Sequence, residues 1–369
     1  MLSYFKQLIE TLFPSYFAFV MATGALSISS FFLGFELIAN ALLYINIAAF
    51  STLWILTILR ILLYPKRVLK DLSSHTIGSG FFTTVAGTCV LGSQLILVAN
   101  SYTFAVYLWG FSIFLWLLIM YAFFTAVIIQ RDTPTLSEGI NGAWLIAAVA
   151  TQAVSILGTL LVPVIGSGRE IVLFTTVCMY FLGCMLYLNI ITLIFYRFTF
   201  LKMDSSAFTP PYWINMGAVA ITSLAGATLI KQSEYWSFLA EITPFLKGFT
   251  LFFWAAGTWW IPLLFILAFW RHILRRHPLT YEAAMWAMVF PLAMYTASTW
   301  QLAIALDLPG HSTGHVLCCA ARLGSCVFRS RPSSVYPDCC LLQSSEDAEK
   351  NLEQKCCLFG WSAFVLYMG

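Results

Sequence analysis

Long apolar runs separated by short polar segments dominate the hydrophobic pattern of this chain. A helix that crosses a bilayer needs about 20 mostly apolar residues. Nine segments meet this requirement, at residues 15–34, 38–63, 77–99, 104–129, 143–165, 171–196, 212–230, 247–270 and 282–304. No Lys, Arg, Asp or Glu occurs from Leu72 to Gln130, so a short neutral turn near Asn100–Ser101 must join two of these segments. The pattern predicts an all-α polytopic membrane protein with nine clear transmembrane helices.

Small and large side chains alternate from one segment to the next. The first, third, fifth, seventh and ninth segments are close to half Gly, Ala, Ser and Thr, as in MATGALSISS and GAVAITSLAGAT. The even segments carry bulky residues instead, as in YLWGFSIFLWLLIMYAFF. Small residues let helices approach closely, whereas large apolar ones suit lipid. For any single helix the small residues could serve packing alone, but their alternation predicts odd helices inside, around a pore, and even helices outside.

Composition agrees with a membrane protein and excludes several other classes. The 369 residues are 60% hydrophobic and 9% charged, whereas soluble proteins have about a quarter charged residues. A net charge of +3 without a basic stripe argues against a nucleic-acid partner. The sequence has no Gly-rich phosphate loop, nucleophile elbow or carboxylate pair, so we expect neither an enzyme nor a cofactor. His311 and His315 have a ligand-like spacing but stand alone in an unusual tail, so we expect no metal site.

The basic residues between the segments predict the orientation of the chain. Eleven Lys and Arg residues fall on the side of the N-terminus: Lys6, Arg60, Lys66, Arg67, Lys70, Arg131, Arg197, Lys202, Arg271, Arg275 and Arg276. The other side has Arg169, Lys231 and Lys247. Because positive residues concentrate on the cytoplasmic side, the N-terminus is expected in the cytoplasm, and the protein in the inner membrane of the cell.

Ionisable residues are nearly absent from the predicted spans. Only Arg60 and Glu282 lie within them, both near cytoplasmic ends, where we expect snorkelling to the interface rather than a function. The small segments offer neutral groups instead, and we predict the following as pore-lining: Gly24, Gly87, Thr88, Gln152, Asn215, Thr222, Ala287 and Ala297. Their polar members fit two interpretations equally, hydrogen bonding between helices or a neutral lining for a partly dehydrated anion.

One bulky residue and one proline interrupt the small ninth segment, in the stretch MVFPLAMYTASTW. Pro291 cannot donate to the carbonyl of Ala287, so we expect a kink there. Phe290 shares its helix face with alanines at 283, 287, 293 and 297. If that face points to the axis, the Phe290 ring plugs the lumen and acts as a hydrophobic gate. The residues alone also allow a Phe that fills a gap between helices.

Five stretches resemble the tellurite-resistance/dicarboxylate transporter family, which includes the plant slow anion channels. They are PSYFAFVMATGALSIS (14–29), NGAWLIAAVATQAVSILGTLL (141–161), PPYWINMGAVAITSLAGA (210–227), GTWWIPLLFIL (257–267) and WAMVFPLAMYTASTWQLA (286–303). The resemblance implies ten transmembrane helices in five hairpins, quasi-fivefold symmetry and odd helices around a central pore. It implies that Phe290, in VFP, is the gate. It also implies a homotrimer, as in bacterial members, and transport of halide, nitrate, sulfite, tellurite or C4-dicarboxylate anions.

The resemblance ends near residue 308, where the expected tenth helix is replaced by an atypical tail. Residues 309–369 contain seven of the ten cysteines, several in adjacent pairs that fit neither a zinc site nor a cytoplasmic disulfide framework. We therefore divide the chain into a transmembrane anion-channel domain, 1–308, and a Cys-rich tail, 309–369, and hypothesise that a frameshift produced the tail.

Together these observations predict a passive anion channel or uniporter-like carrier. Its partners are small inorganic or organic anions and the lipid bilayer. A proton-coupled C4-dicarboxylate or sulfite exporter is the alternative, and it would need a carboxylate such as Glu282 or Asp307 on the path. A membrane scaffold without transport activity is a third interpretation. Measured flux in liposomes would discriminate between them.

Overall fold

A computed structural model describes residues 2–278 and 283–307, and within these ranges the chain is helical and contains no strand. The helices are α1 (Leu2–Glu10), α2 (Ala18–Phe32), α3 (Glu36–Leu63), α4 (Pro65–Leu72), α5 (Phe82–Ala99), α6 (Tyr102–Ile129), α7 (Leu136–Gly139), α8 (Ile146–Leu161), α9 (Arg169–Phe200), α10 (Ile214–Lys231), α11 (Ser237–Phe269) and α12 (Trp286–Ala305). The described residues all belong to one of two units into which the chain divides, Met1–Asp307 and Leu308–Gly369.

Eight of the nine predicted segments are confirmed as helices long and apolar enough to cross a membrane. The ninth forms α12, a helix of 20 residues that is not among the eight. Polar side chains in its second half, such as Thr299 and Gln301, lower its hydropathy. The predicted turn at Asn100–Ser101 is also confirmed. Asn100 ends α5 in the left-handed conformation, with φ of 51°, and α6 begins at Tyr102.

The eighth predicted segment begins too late. The sequence placed its start at residue 247, but α11 begins at Ser237, so Lys247 lies inside the helix. Glu241, Pro244 and Lys247 interrupt the apolar run there and obscure the start of the helix in the sequence. α11 nevertheless continues through Pro244 and Pro262.

The predicted separation of inner and outer helices is visible in their burial. Within the apolar part of each span, the buried share of residues is 67%, 78%, 94% and 100% for the segments that contain α2, α5, α8 and α10. It is 11%, 39%, 39% and 28% for those that contain α3, α6, α9 and α11. The small-residue helices are therefore inside, and the bulky ones present large apolar side chains to the outside.

Five inner helices close into a ring. α2 contacts α5, α5 contacts α8, α8 contacts α10, α10 contacts α12, and α12 contacts α2. Each of the four outer helices α3, α6, α9 and α11 packs on the inner helix that precedes it and on the next one around the ring. This arrangement follows from the chain order, because every outer helix returns the chain to the side where the next inner helix begins.

Each inner helix begins with a short 3₁₀ turn. These turns are Pro14–Phe17, Gly78–Phe81, Gly142–Leu145, Pro210–Trp213 and Ala283–Met285. The turns themselves contact one another in a closed ring, so the N-terminal ends of all five inner helices meet at one end of the bundle. Local chemistry sets some of these starts. Proline occupies the first turn at Pro14 and Pro210, and the Asn141 side chain accepts a hydrogen bond from the backbone N–H of Ala143 at 2.8 Å.

Arg60 corrects one expectation from the sequence. We expected it to snorkel, but it is buried, with 5% of its surface exposed. Its guanidinium lies 2.5 Å from the Asp71 carboxylate and also donates to the backbone carbonyl of Glu10 at 3.2 Å. Arg60 therefore joins α3 to α1 and α4. Glu282, the other ionisable residue in the predicted spans, lies outside the described residues.

The close approach of the 3₁₀ turns predicts that Gly142 cannot carry a side chain without loss of stability. A Cβ atom there would lie 2.2 Å from the carbonyl oxygen of Pro211 and 2.7 Å from the Cα of Tyr212. Both are backbone atoms that cannot rotate away, so we expect Gly142→Ala to destabilise the protein by about 1–3 kcal/mol. Thermal unfolding in detergent, followed by size-exclusion chromatography, measures the change.

Gly248→Ala on α11 is the matched control, because nothing lies within 4 Å of the added Cβ. Alanine is the better helix former by about 1 kcal/mol, so this variant should unfold at the same or a higher temperature. Equal unfolding temperatures for Gly142→Ala and the native protein would contradict the close approach of these turns.

Candidate anion pathway

A narrow cavity lies between the C-terminal halves of the five inner helices. Its volume of about 30 Å³ has room for about one water molecule. Every inner helix contributes to its wall: Ile28, Phe32, Cys89, Val90, Ser93, Leu97, Ala153, Ile156, Leu160, Ile221, Leu224, Thr228, Met294 and Gln301. Three of these side chains carry an alcohol or amide group, and they belong to Ser93, Thr228 and Gln301. The cavity is thus a largely apolar space lined by all five inner helices.

The 3₁₀ turns provide a common register for the inner helices. Counted from the first residue after each turn, the fifth residue is Ala22 in α2, Ala86 in α5, Ala150 in α8 and Ala218 in α10. In α12 the fifth residue is Phe290. Because the turns meet in one ring, these five residues lie at similar depth. Four helices therefore present a methyl group where the fifth presents a phenyl ring.

This level lies one turn from the cavity, toward the N-terminal ends of the inner helices. Phe290 precedes Met294 by four residues, and Ala86 precedes Val90 by four, so each pair shares one helix face. Ala150 and Ala218 stand three residues before Ala153 and Ile221, which also line the cavity. Phe290 is 2% exposed, and the four alanines are fully buried. Phe290 therefore lies one helical turn before the cavity wall along α12.

Pro291 lies inside α12 and packs against α10. A Cβ atom at Gly217 would lie 2.7 Å from the Cγ of Pro291, so the absence of a side chain at 217 is what lets the proline ring approach. α12 is one helix from Trp286 to Ala305. The kink that the sequence predicts at Pro291 stays a prediction.

Two residues predicted to line the pore, Gly24 and Gln152, contact neighbouring helices, and a third, Thr88, bonds within its own helix. A Cβ at Gly24 would lie 2.5 Å from Val90 Cγ1 and 2.9 Å from Asn46 Nδ2. The Thr88 hydroxyl donates to the carbonyl of Thr84, and the Gln152 amide donates to the carbonyl of Tyr180 on α9 at 3.0 Å. All three occupy the seventh position of their helices, away from the cavity wall. The contacts of Gly24 and Gln152 fit packing and hydrogen bonding between helices, the other interpretation of these groups. The role of Thr88 as lining stays a prediction.

The remaining predicted lining residues are buried, without belonging to the cavity wall. Gly87 lies against Val20 and Phe17, and Thr222 donates its hydroxyl proton to the carbonyl of Ala218. The Asn215 side chain is fully buried and has no hydrogen-bond partner within the described ranges. Ala287 and Ala297 lie on the face of α12 that carries Phe290, Met294 and Gln301. Their roles as lining remain predictions.

Sequence reasoning missed most of the cavity wall, including Cys89, Ala153, Ile221 and Met294. It selected small and polar residues, whereas the wall is largely apolar. The signal that could have found them is the register itself. Proline or glycine precedes the small-residue run in the first four inner helices, and counting from that point brings Ala22, Ala86, Ala150, Ala218 and Phe290 into line.

The inner helices carry little charge. Within their described lengths they contain no Asp or Glu, and Lys231, at the end of α10, is their one basic residue. None of the five has an acidic residue in its first turn. The partial positive charges of five converging helix N-termini are therefore left without an acidic neighbour on these helices, an arrangement that favours an anion.

Comparison with known proteins identifies the family of this chain. The family model of the voltage-dependent anion channel matches residues 11–328, and so continues past residue 308, near which the resemblance was expected to end. An uncharacterized transporter of Methanocaldococcus jannaschii is 31% identical over 296 residues, 77% of this chain and 83% of the relative. A second transporter of that organism is 28% identical over 79% of this chain and 84% of the relative.

A shorter match is to an uncharacterized membrane protein of Mycobacterium tuberculosis. It is 40% identical over 125 residues, 34% of this chain and 62% of the relative. The family model covers the whole inner ring. The chain therefore belongs to the voltage-dependent anion channel family, whose members transport anions across membranes.

Proposed function

We propose that small anions pass along the axis of the inner ring and that Phe290 closes this path. The observation that carries the proposal is the register of the ring. Four alanines and one phenylalanine occupy equivalent positions along the inner helices, before the residues that line the axial cavity. A phenyl ring among four methyl groups is a single removable obstruction, and an apolar constriction of this kind blocks ions by excluding water.

Two further features support an anion as the permeating species. Five helix N-termini point toward one end of the axis without acidic residues in their first turns. The described inner helices contain no carboxylate that would attract a cation. The permeating ion would therefore meet backbone dipoles of the favourable sign at one mouth, and neutral side chains beyond it.

The membrane orientation is part of the proposal. The basic residues at the end where the inner helices begin support an orientation in which that end and the N-terminus are cytoplasmic, in the inner membrane of the cell. We also propose the homotrimer that the family resemblance implies. The anion is proposed only as a class, which includes halide, nitrate, tellurite and C4-dicarboxylates.

Coupling to protons has no support in the described part of the ring. A proton-coupled exporter needs a titratable group on the path, and α2, α5, α8, α10 and α12 contain no Asp, Glu or His. Asp307 follows the end of α12, where it is exposed. Passive conduction is therefore the function we propose.

The gate is tested by anion flux in liposomes that contain native protein or Phe290→Ala, with chloride, nitrate and succinate. Removal of the ring should raise the flux of at least one anion by about tenfold or more, because each 1.4 kcal/mol removed from a barrier is a factor of ten. Flux that is unchanged or lower, in a variant that remains folded, would rule out the gate.

Phe253→Ala is the matched control. Phe253 is also fully buried, but it lies on the outer helix α11 and contacts Tyr187 and Phe249. Its removal leaves a cavity away from the axis and should not increase flux, although it should lower stability by about 3–5 kcal/mol. An equal rise in flux for both variants would show that general loosening of the bundle causes the leak.

The ring of alanines gives a second prediction. In the Phe290→Ala protein, Ala150→Leu should return flux toward the native level, because a leucine at the same depth on the opposite part of the ring refills the space. Ala122→Leu on the outer helix α6 is the control and should leave flux high. If Ala150→Leu folds and conducts as well as Phe290→Ala alone, the proposed register of the constriction is wrong.

A further inference from the structure

The two ends of the axial path differ in their electrostatics. The N-terminal ends of the inner helices present positive dipole ends, whereas the axial cavity lies among C-terminal halves, whose free carbonyls present negative ends. A partly dehydrated anion in this cavity is therefore disfavoured by backbone dipoles. A path that conducts anions needs a compensating positive charge at this end.

One side chain supplies that charge. Lys231 is the last residue of α10, and it is the sole basic residue in the last turn of any of the five inner helices. Its Nζ atom donates a hydrogen bond to Oε1 of Gln301 at 3.1 Å. Gln301 is buried on α12, with 7% exposure, and belongs to the cavity wall. The hydrogen bond therefore holds the ammonium group next to the cavity, across the gap between α10 and α12.

Among the residues that the structure describes, no carboxylate forms an ion pair with Lys231. The ion pairs within residues 2–278 and 283–307 are Arg60–Asp71 and Arg67–Glu10, both at the opposite end of the inner helices. Lys231 itself is exposed at the end of its helix, so an anion can reach it from water. An ammonium group has three donors and Gln301 takes one of them, so Lys231 can also donate to a small anion.

We propose that Lys231, positioned by Gln301, is the anion-recognition site at the cavity end of the path. This inference rests on the proposed function and assigns it a specific residue. The site takes one negative charge carried by a halide or by an oxygen of nitrate or a carboxylate. It offsets the carbonyl ends of the inner helices and raises the local anion concentration at that mouth.

The test measures anion current in planar bilayers, in the Phe290→Ala background, with the chloride gradient applied from either side. Lys231→Gln removes the charge but keeps an amide. We expect about two- to fivefold less current for chloride that enters from the cavity end at low ionic strength, and a smaller loss at high ionic strength. Current for chloride that enters from the other end should fall less. Lys231→Arg should retain most of the native current.

Lys247→Gln is the control for surface charge in general. Lys247 is a lysine of the outer helix α11 and does not belong to the cavity wall. Loss of this charge should leave the chloride current unchanged in both directions. Equal currents for Lys231→Gln and its parent, or equal losses for both lysines, would overturn the assignment and leave the proposed function intact. Absence of anion current in the Phe290→Ala parent would instead reject the proposed function.

Discussion

Close packing of five small-residue helices is the constraint on which the rest of this structure depends. Lipid tails are as apolar as leucine, so helices in a bilayer associate through van der Waals contact and hydrogen bonds rather than through the hydrophobic effect. At Gly24, Gly142 and Gly217 there is no space for even one more carbon atom. Glycine and alanine let α2, α5, α8, α10 and α12 close into a ring, and the ring creates both an axis and two mouths of opposite dipole sign.

The same constraint is the basis on which we propose that one residue controls the path. Four helices of the narrow ring have an alanine at this position, so the proposed closure needs a single phenyl ring from the fifth. The bulk of Phe290 therefore has a different meaning from that of the many phenylalanines on the outer helices, which face outward or pack between helices. The proposed gate is the one position where a phenylalanine replaces the alanine that the other inner helices share.

The sequence was sufficient for the helices and their layers but not for the directions of individual side chains. Hydrophobic runs and the alternation of small and bulky residues predicted eight spans and the inner position of the odd ones, because both are averages over many residues. Gly24 and Gln152 were assigned to a lumen from their size and polarity, yet they contact α3, α5 and α9. Arg60 was expected to reach water, but Asp71 and the Glu10 carbonyl hold it inside. Such partners are distant in sequence, so no local sequence pattern predicts them.

The most direct test of conduction through the ring places a single thiol in the cavity wall, at Ala153. In a Phe290→Ala, Ala153→Cys protein whose ten native cysteines are replaced by serine, a membrane-impermeant methanethiosulfonate reagent would attach a bulky charged group next to the cavity. We predict that anion flux falls nearly to the native level as the introduced cysteine is modified, and that the matched protein without this cysteine is insensitive. Complete modification of the introduced cysteine, verified by mass spectrometry, with unchanged flux would contradict conduction through the ring.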